Sequence, residues 1–213
     1  MDFQFTEEQL LMQKTVRELA EKEIIPYVAE WERQAKFPRE IVNKLADLHL
    51  MGIPIPEEWG GAGADFVSYI IALEELSRAW AALAVIVAVH TSLGCFPLLY
   101  FGSEEQKKRF LPEMAGGRKL GAFALTEPGA GSDAASIKTR ARKVGDEYIL
   151  NGSKVFISNA GEADVYLTFA VTEPGKGPRG ISAFLVEKDT PGFRMGAPER
   201  KMGMRGSPTS DVV

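Results

Sequence analysis

The chain has 213 residues, 45% hydrophobic and 25% charged, with 25 basic and 29 acidic side chains interspersed to give a formal charge of −4. That is soluble globular material, enough for one large domain or two small ones, and no basic block recommends it to nucleic acid or to an anionic membrane surface. One cysteine, Cys95, excludes an internal disulfide, no CxxC or His-rich spacing offers a metal site, and a reducing compartment fits.

The N-terminal MDFQFTEEQLLMQ has neither a secretory nor an arginine-rich transit pattern, and the expected location is the cytoplasm, or the mitochondrial matrix for a mature eukaryotic chain. Thr6 and Gln9 form a T-x-x-Q capping box, and Leu10, Leu11, Val16, Leu19, Ala20 and Ile24 follow a helical face until Pro26 bends or ends it. Pro38 sits where a first-turn proline is tolerated, and the helix after it is expected to run to Gly52. PIPEEWGGAGAD reads as a loop that Asp65 closes by capping FVSYIIALEELSRAW. The apolar run AWAALAVIVAVHTSLGCF is broken by His90, Thr91, Ser92 and Gly94 and reads as a buried helix rather than a membrane span. Ser103 and Gln106 repeat the capping box. Residues 1–118 are therefore expected to be a helical bundle domain.

After Lys119 the period changes from helical to alternating. SIKTRARKV, EYIL, KVFIS, DVYLTFAVT and GISAFLVEKD read as strands, with Asn151-Gly152 as the hairpin signal between the second and third of these runs. Residues 119–213 are expected to form an antiparallel barrel-like or sandwich β-domain, giving an α+β fold class overall. The last run, PTSDVV, stops inside a strand-like pattern, which reads as a cut through a domain: a fragment or a premature stop.

The stretch ALTEPGAGSDAAS holds Gly129, Gly131 and Ala134 in GxGxxA order. A dinucleotide fingerprint requires a helix next, whose N-terminus holds the pyrophosphate, and the period-two sequence downstream excludes it. What the glycines permit is close backbone approach, with amides between Pro128 and Asp133 turned into one concavity that takes an anion, flanked by the Thr126 and Ser132 hydroxyls. Standing alone, the stretch reads rather as a plain Gly-rich turn capped by Asp133. Likewise Phe156 reads alone as strand core, Ser158 as a strand-end hydroxyl, and His90 as a satisfied buried histidine.

In combination, GAFALTEPGAGSDAASIKTRA followed by YILNGSKVFISNAGEADVYLTFAVT resembles the acyl-CoA dehydrogenase family in its flavin-binding middle domain, and FTEEQLLMQKTVRELAEKEIIP and YFGSEEQKKRFLPEMAGG resemble its helical N-terminal domain. The resemblance implies FAD as cofactor. Phe123, Leu125 and Thr126 would lie along the flavin, the Thr126 hydroxyl near N5; Gly131 and Ser132 would lie toward the pyrophosphate, with Ser132 also meeting the acyl-CoA. Phe156, Ile157 and Ser158 would cover the other side, phenylalanine and serine standing where tryptophan and threonine are common. The implied reaction is α,β-dehydrogenation of an acyl-CoA thioester, short or branched short chain. A carboxylate removes the α-proton and the β-hydrogen leaves as hydride to flavin N5, with hydrogen bonds stabilising the enolate oxygen. The helix AVIVAVHTSLGCFPLLYFG would line the acyl pocket. No residue here is assigned as catalytic base: in the family it comes from a C-terminal four-helix domain, expected beyond Val213 and missing here. The resemblance further implies a homotetramer and an electron-transferring flavoprotein as acceptor. A non-catalytic fragment of such an enzyme and an acyl-CoA oxidase-type flavoenzyme are the alternatives.

Overall fold

The computed structural model describes residues 4–213. The chain divides into two compact units, one formed by residues up to Leu120 together with Arg200–Ser207, the other by Gly121–Glu199 and Pro208–Val213.

The first unit is helical: α1 (Glu7–Leu19), α2 (Val28–Gln34), α3 (Arg39–Asp47), α4 (Phe66–Ala88), α5 (Phe96–Phe101) and α6 (Glu104–Ala115). Both capping boxes form, Thr6 with Gln9 and Ser103 with Gln106, each joining side chain to backbone in both directions. Asp65 caps α4 by accepting from the Val67 and Ser68 amides at 2.7 and 3.0 Å. The line of α1 continues through a π turn to Ile24, and Pro26 sits in a short 3₁₀ turn that separates it from α2. The helix after Pro38 is shorter than its sequence pattern suggests. It ends at Asp47, because His49 turns left-handed (φ 57°) well before Gly52. Val16, Leu19, Ile24, Leu45, Leu76, Leu83 and Ile86 meet in one core, and burial of such side chains, ~1.5–3 kcal/mol each, is what holds the helices together. The long apolar run forms α4 and a π-helical extension, Val89–Cys95. The segment 66–101 is apolar and long enough to cross a membrane by composition, and 56% of its most apolar window is buried inside the molecule.

This unit also recruits residues 200–207. The Glu32 carboxylate accepts from the Trp80 indole (2.7 Å), the Arg205 amide (2.9 Å) and the Gly206 amide (3.3 Å). Trp80, whose extended backbone kinks α4, lies so close that a Cβ on Gly206 would stand 2.2 Å from its Cζ2.

The second unit holds β1 (Gly121–Ala124), β2 (Arg140–Val144), β3 (Glu147–Asn151), β4 (Lys154–Ser158), β5 (Val165–Val171), β6 (Ile181–Glu187), β7 (Met195–Pro198) and β8 (Thr209–Val212). They form two sheets, one with the order β1-β5-β2-β3 and β6 also paired to β5, the other β4-β8-β7. The architecture is helical then β, as expected, but the larger sheet is mixed and no barrel closes. β6 runs antiparallel along the whole of β5, so β1 (at Val165–Thr168) and β2 (at Val171) must share the other edge, and both lie parallel to it. The long connection 125–139 allows this, because a parallel neighbour cannot be reached through a tight turn.

The expected hairpin at Asn151-Gly152 does not form. β3 pairs with β2 across Gly145-Asp146, with Val144 opposite Glu147, while β4 pairs with β8 in the other sheet. Gly145 supplies the left-handed residue (φ 61°) of the true turn. Gly152 instead crosses between sheets at close quarters, where a Cβ would lie 2.4 Å from Thr139 Oγ1. Ala122, Ala124, Ile157, Ala160, Ala163, Tyr166 and Val212 form the core of this unit.

Candidate functional site: two segments joined in the β unit

The loop after β1 is tied down at both ends and open in the middle. Thr126 leaves the sheet with its carbonyl accepting from the Val155 amide (2.8 Å), and Glu127 and Ala130 exchange backbone hydrogen bonds at 3.2 and 3.0 Å across the Pro128-Gly129 turn. Gly129 and Gly131 have nothing within 4 Å of where a Cβ would stand. Pro128, Gly129, Gly131, Ser132 and Asp133 are exposed. The Asp133 carbonyl and carboxylate are taken by Ser136, so Asp133 closes the loop, while the Gly131 and Ser132 amides before it enter no backbone hydrogen bond of the described unit.

Beneath the loop lies a buried ion pair. Lys154, 2% exposed, donates to Glu127 (2.8 Å) and to the Leu125 carbonyl (3.0 Å), and Glu127, 8% exposed, also accepts from the Lys138 and Thr139 amides at 2.6 and 2.9 Å. Burial pushes the Glu127 carboxyl up, but these charged and backbone donors outweigh it and bring it down to about 2. Burial draws the Lys154 ammonium below its ordinary value against the raising pull of Glu127. Glu127 is a structural anion with its lone pairs engaged, unsuited to taking a proton from carbon.

The second segment is β4. Its ladder with β8 breaks between Lys154 and Ile157, and at the break Phe156 takes a left-handed backbone (φ 60°) with 65% of its surface exposed. A bulky residue in that region costs about 1–3 kcal/mol and is held there by its surroundings. The reading of Phe156 as strand core is thereby corrected, since the bulge turns the ring outward. Ile157 is 2% exposed and belongs to the core, so it faces inward and Ser158, next to it in the regular ladder with β8, faces the opposite way.

Of the residues singled out in the sequence, Leu125 and Thr126 are brought beside the start of β4 by the bond from Val155, next to Phe156, to Thr126, while Ser158 lies further along β4, whose end is tied to the start of β1 by Asn159 donating to the Gly121 carbonyl. Phe123, inside β1 two residues before Leu125, lies half-buried against Phe169 (ring centroids 5.1 Å). Gly131 and Ser132 sit on the exposed side of the loop. In the helical unit His90 is fully buried, its Nε2 2.9 Å from the Met114 carbonyl oxygen. Among the described residues no cluster of His, Cys, Asp or Glu could hold a metal ion. Sequence reasoning missed Lys154. The only trace of it was a lysine opening an otherwise apolar strand run, a position where burial demands a carboxylate partner.

Residues 6–118 match the family model described as acyl-CoA dehydrogenase, N-terminal domain, and residues 122–213 match the acyl-CoA dehydrogenase middle domain. The chain belongs to the acyl-CoA dehydrogenase family. It is 55% identical over 208 residues to an acyl-CoA dehydrogenase of Bacillus subtilis, covering 98% of this chain and 55% of that one. Among solved structures, the butyryl-CoA dehydrogenase of Megasphaera elsdenii superposes with a TM-score of 0.97 at 42% identity, covering 100% of this chain and 57% of that one. A glutaryl-CoA dehydrogenase of Mycobacterium smegmatis in complex with FADH2 superposes at 0.91 with 37% identity, covering 98% and 53%. This acyl-CoA dehydrogenase family chain thus spans about half the length of the curated relatives it matches.

The β unit fits a flavin on its own terms. An outward aromatic at a strained bulge offers a ring face, Thr126 has an amide and a hydroxyl outside the hydrogen bonds of the described unit, and the Gly131 and Ser132 amides, outside those bonds while Ala130 is tied to Glu127, suit a pyrophosphate.

Proposed function

We propose that this chain is the FAD-binding part of an acyl-CoA dehydrogenase acting on short or branched short acyl-CoA thioesters. The observation that carries the reading is the joining of the 125–132 loop to the β4 segment that displays Phe156 and Ser158. Bound FAD would supply the acceptor for the β-hydride.

The protein's own groups would do the rest. The Thr126 amide and hydroxyl would donate to the flavin edge, Phe156 would cover a ring face and exclude water from it, and the Ser158 hydroxyl would bond the same face from the side. The amides around Gly131, with the Ser132 hydroxyl, would hold the pyrophosphate, and Ser132 would also touch the acyl-CoA. Phe123, Leu125 and Ile157 would contribute backbone and packing. Glu127 cannot serve as the α-proton base, since its carboxylate is committed to Lys154 and two amides. The reading assigns that base to sequence beyond Val213. Electron-transferring flavoprotein is the proposed acceptor, a homotetramer the proposed assembly, and the cytoplasm the proposed location.

The test is anaerobic mixing of the full-length flavoprotein with butyryl-CoA or isovaleryl-CoA. Bleaching of the flavin absorbance supports the reading. A protein that carries no flavin, or whose flavin neither substrate bleaches, overturns it, and rapid reoxidation by oxygen would mark an oxidase instead.

A further inference from the structure

Two charged side chains are buried in the β unit among the described residues, Glu127 and Lys154. Neither has a role in the chemistry above. Replacing a buried ion pair by apolar groups of similar volume is often neutral or stabilising, so stability alone does not account for this pair. Its placement offers another account.

The Lys154 ammonium holds the Leu125 carbonyl at 3.0 Å. That carbonyl and the Thr126 N–H belong to one planar trans peptide and point in opposite directions. Drawing the oxygen inward to the cation therefore turns the Thr126 N–H outward, where it meets no partner in the unit. The same contact polarises the peptide and strengthens that N–H as a donor. Glu127 fastens the far end of the loop through the Lys138 and Thr139 amides at 2.6 and 2.9 Å. Lys154 opens β4 two residues before Phe156, and Val155 between them holds the Thr126 carbonyl at 2.8 Å. One ion pair thus sets the orientation of a peptide on one wall and the separation of that wall from the other.

We propose that Lys154 and Glu127 are positioning residues for the flavin, aiming the Thr126 N–H at its edge and fixing the gap between the 125–132 loop and Phe156. The proposal rests on the FAD reading above. It assigns to Lys154 an influence on cofactor potential exerted through the 125–126 peptide, without contact with cofactor or substrate.

The test uses the full-length protein carrying Lys154→Met and Glu127→Gln together. This variant removes both charges at nearly matched volume and leaves a glutamine oxygen for one of the Lys138 and Thr139 amides, which in the wild type bond different oxygens of Glu127. The expected result is a folded apoprotein with wild-type circular dichroism that binds FAD about tenfold more weakly, the effect of loosening one or two hydrogen bonds. Reduced FAD should lose about threefold more affinity than oxidised FAD, ~15 mV more negative for a two-electron couple. A folded double variant with wild-type FAD affinity and potential overturns the proposal. A double variant that does not fold overturns it too, by assigning the pair to the fold alone. A wild-type protein that binds no FAD instead defeats the flavin reading, and the two failures are told apart by that control.

Discussion

The Glu127 carboxylate should leave a measurable mark on acid stability. Burial alone would raise its pKa, yet the Lys154 ammonium and the Lys138 and Thr139 amides hold it at about 2, against 4.5 for an ordinary glutamate. Between these two pH values the unfolded chain binds a proton that the folded chain refuses, so stability falls as the pH falls, by ~1.4 kcal/mol per pH unit across the window. The stabilisation is fully present above pH 4.5, and about 3 kcal/mol of it is lost by pH 2. Lys154 stays an ammonium throughout this acid window in both states, so its own lowered pKa adds no slope there. Glu127→Gln removes the titration while keeping the shape. Hydrogen exchange of the β4 and β5 amides, read as local opening free energies at a series of pH values, isolates this unit from the helical one. The wild type should show the extra acid slope and the variant should lack it, while lying below the wild type at neutral pH because Lys154 has lost its partner. Parallel curves between pH 2 and 4.5 would refute the assignment of that anion to Glu127.

Three further outcomes are expected. Gly206→Ala places a methyl 2.2 Å from Trp80 Cζ2 and 2.5 Å from Cη2, and should cost about 1–3 kcal/mol in urea unfolding followed by tryptophan fluorescence, with the Glu32 hold on residues 205–206 loosened. Phe156→Gly relieves the left-handed backbone (φ 60°) and removes an exposed ring, so the apoprotein should gain about 1 kcal/mol in thermal or urea unfolding while FAD binding weakens; a variant less stable than wild type would show that the ring supports the fold. Asp65→Ala strips the acceptor from the Val67 and Ser68 amides and should destabilise the helical unit by ~1 kcal/mol, an effect absent if α4 is held by packing alone.

Local signals in this chain were reliable wherever the physics is local. Capping boxes at Thr6 and Ser103 and the Asp65 cap join neighbours three residues apart or fewer, and all three formed as written. The glycine stretch was legible as an open, non-helical loop for the same reason, because the residues after Ser136 have the wrong period for a phosphate-binding helix. The failures lie where a distant partner decides. Asn151-Gly152 has the right turn chemistry, but β4 finds more to pair with in β8 than in β3. Phe156 sits in an apolar strand pattern, yet a bulge turns it outward. Lys154 and Glu127 are 27 residues apart, and neither carries any local sign of the other.

By itself, then, the sequence determined the helical and strand halves, the helix boundaries marked by caps, and the family through two long signatures. Those properties depend on periodicity and on contacts within a turn or two, which are written in consecutive residues. Only the tertiary structure decided that the larger sheet is mixed and open, that residues 200–207 return to complete the helical unit through Glu32 and Trp80, and that a buried ammonium stands behind the glycine-rich loop. Strand partners, a buried ion pair and a loop docked on another helix are chosen by burial and by the satisfaction of polar groups across long sequence separations, which no window of sequence contains.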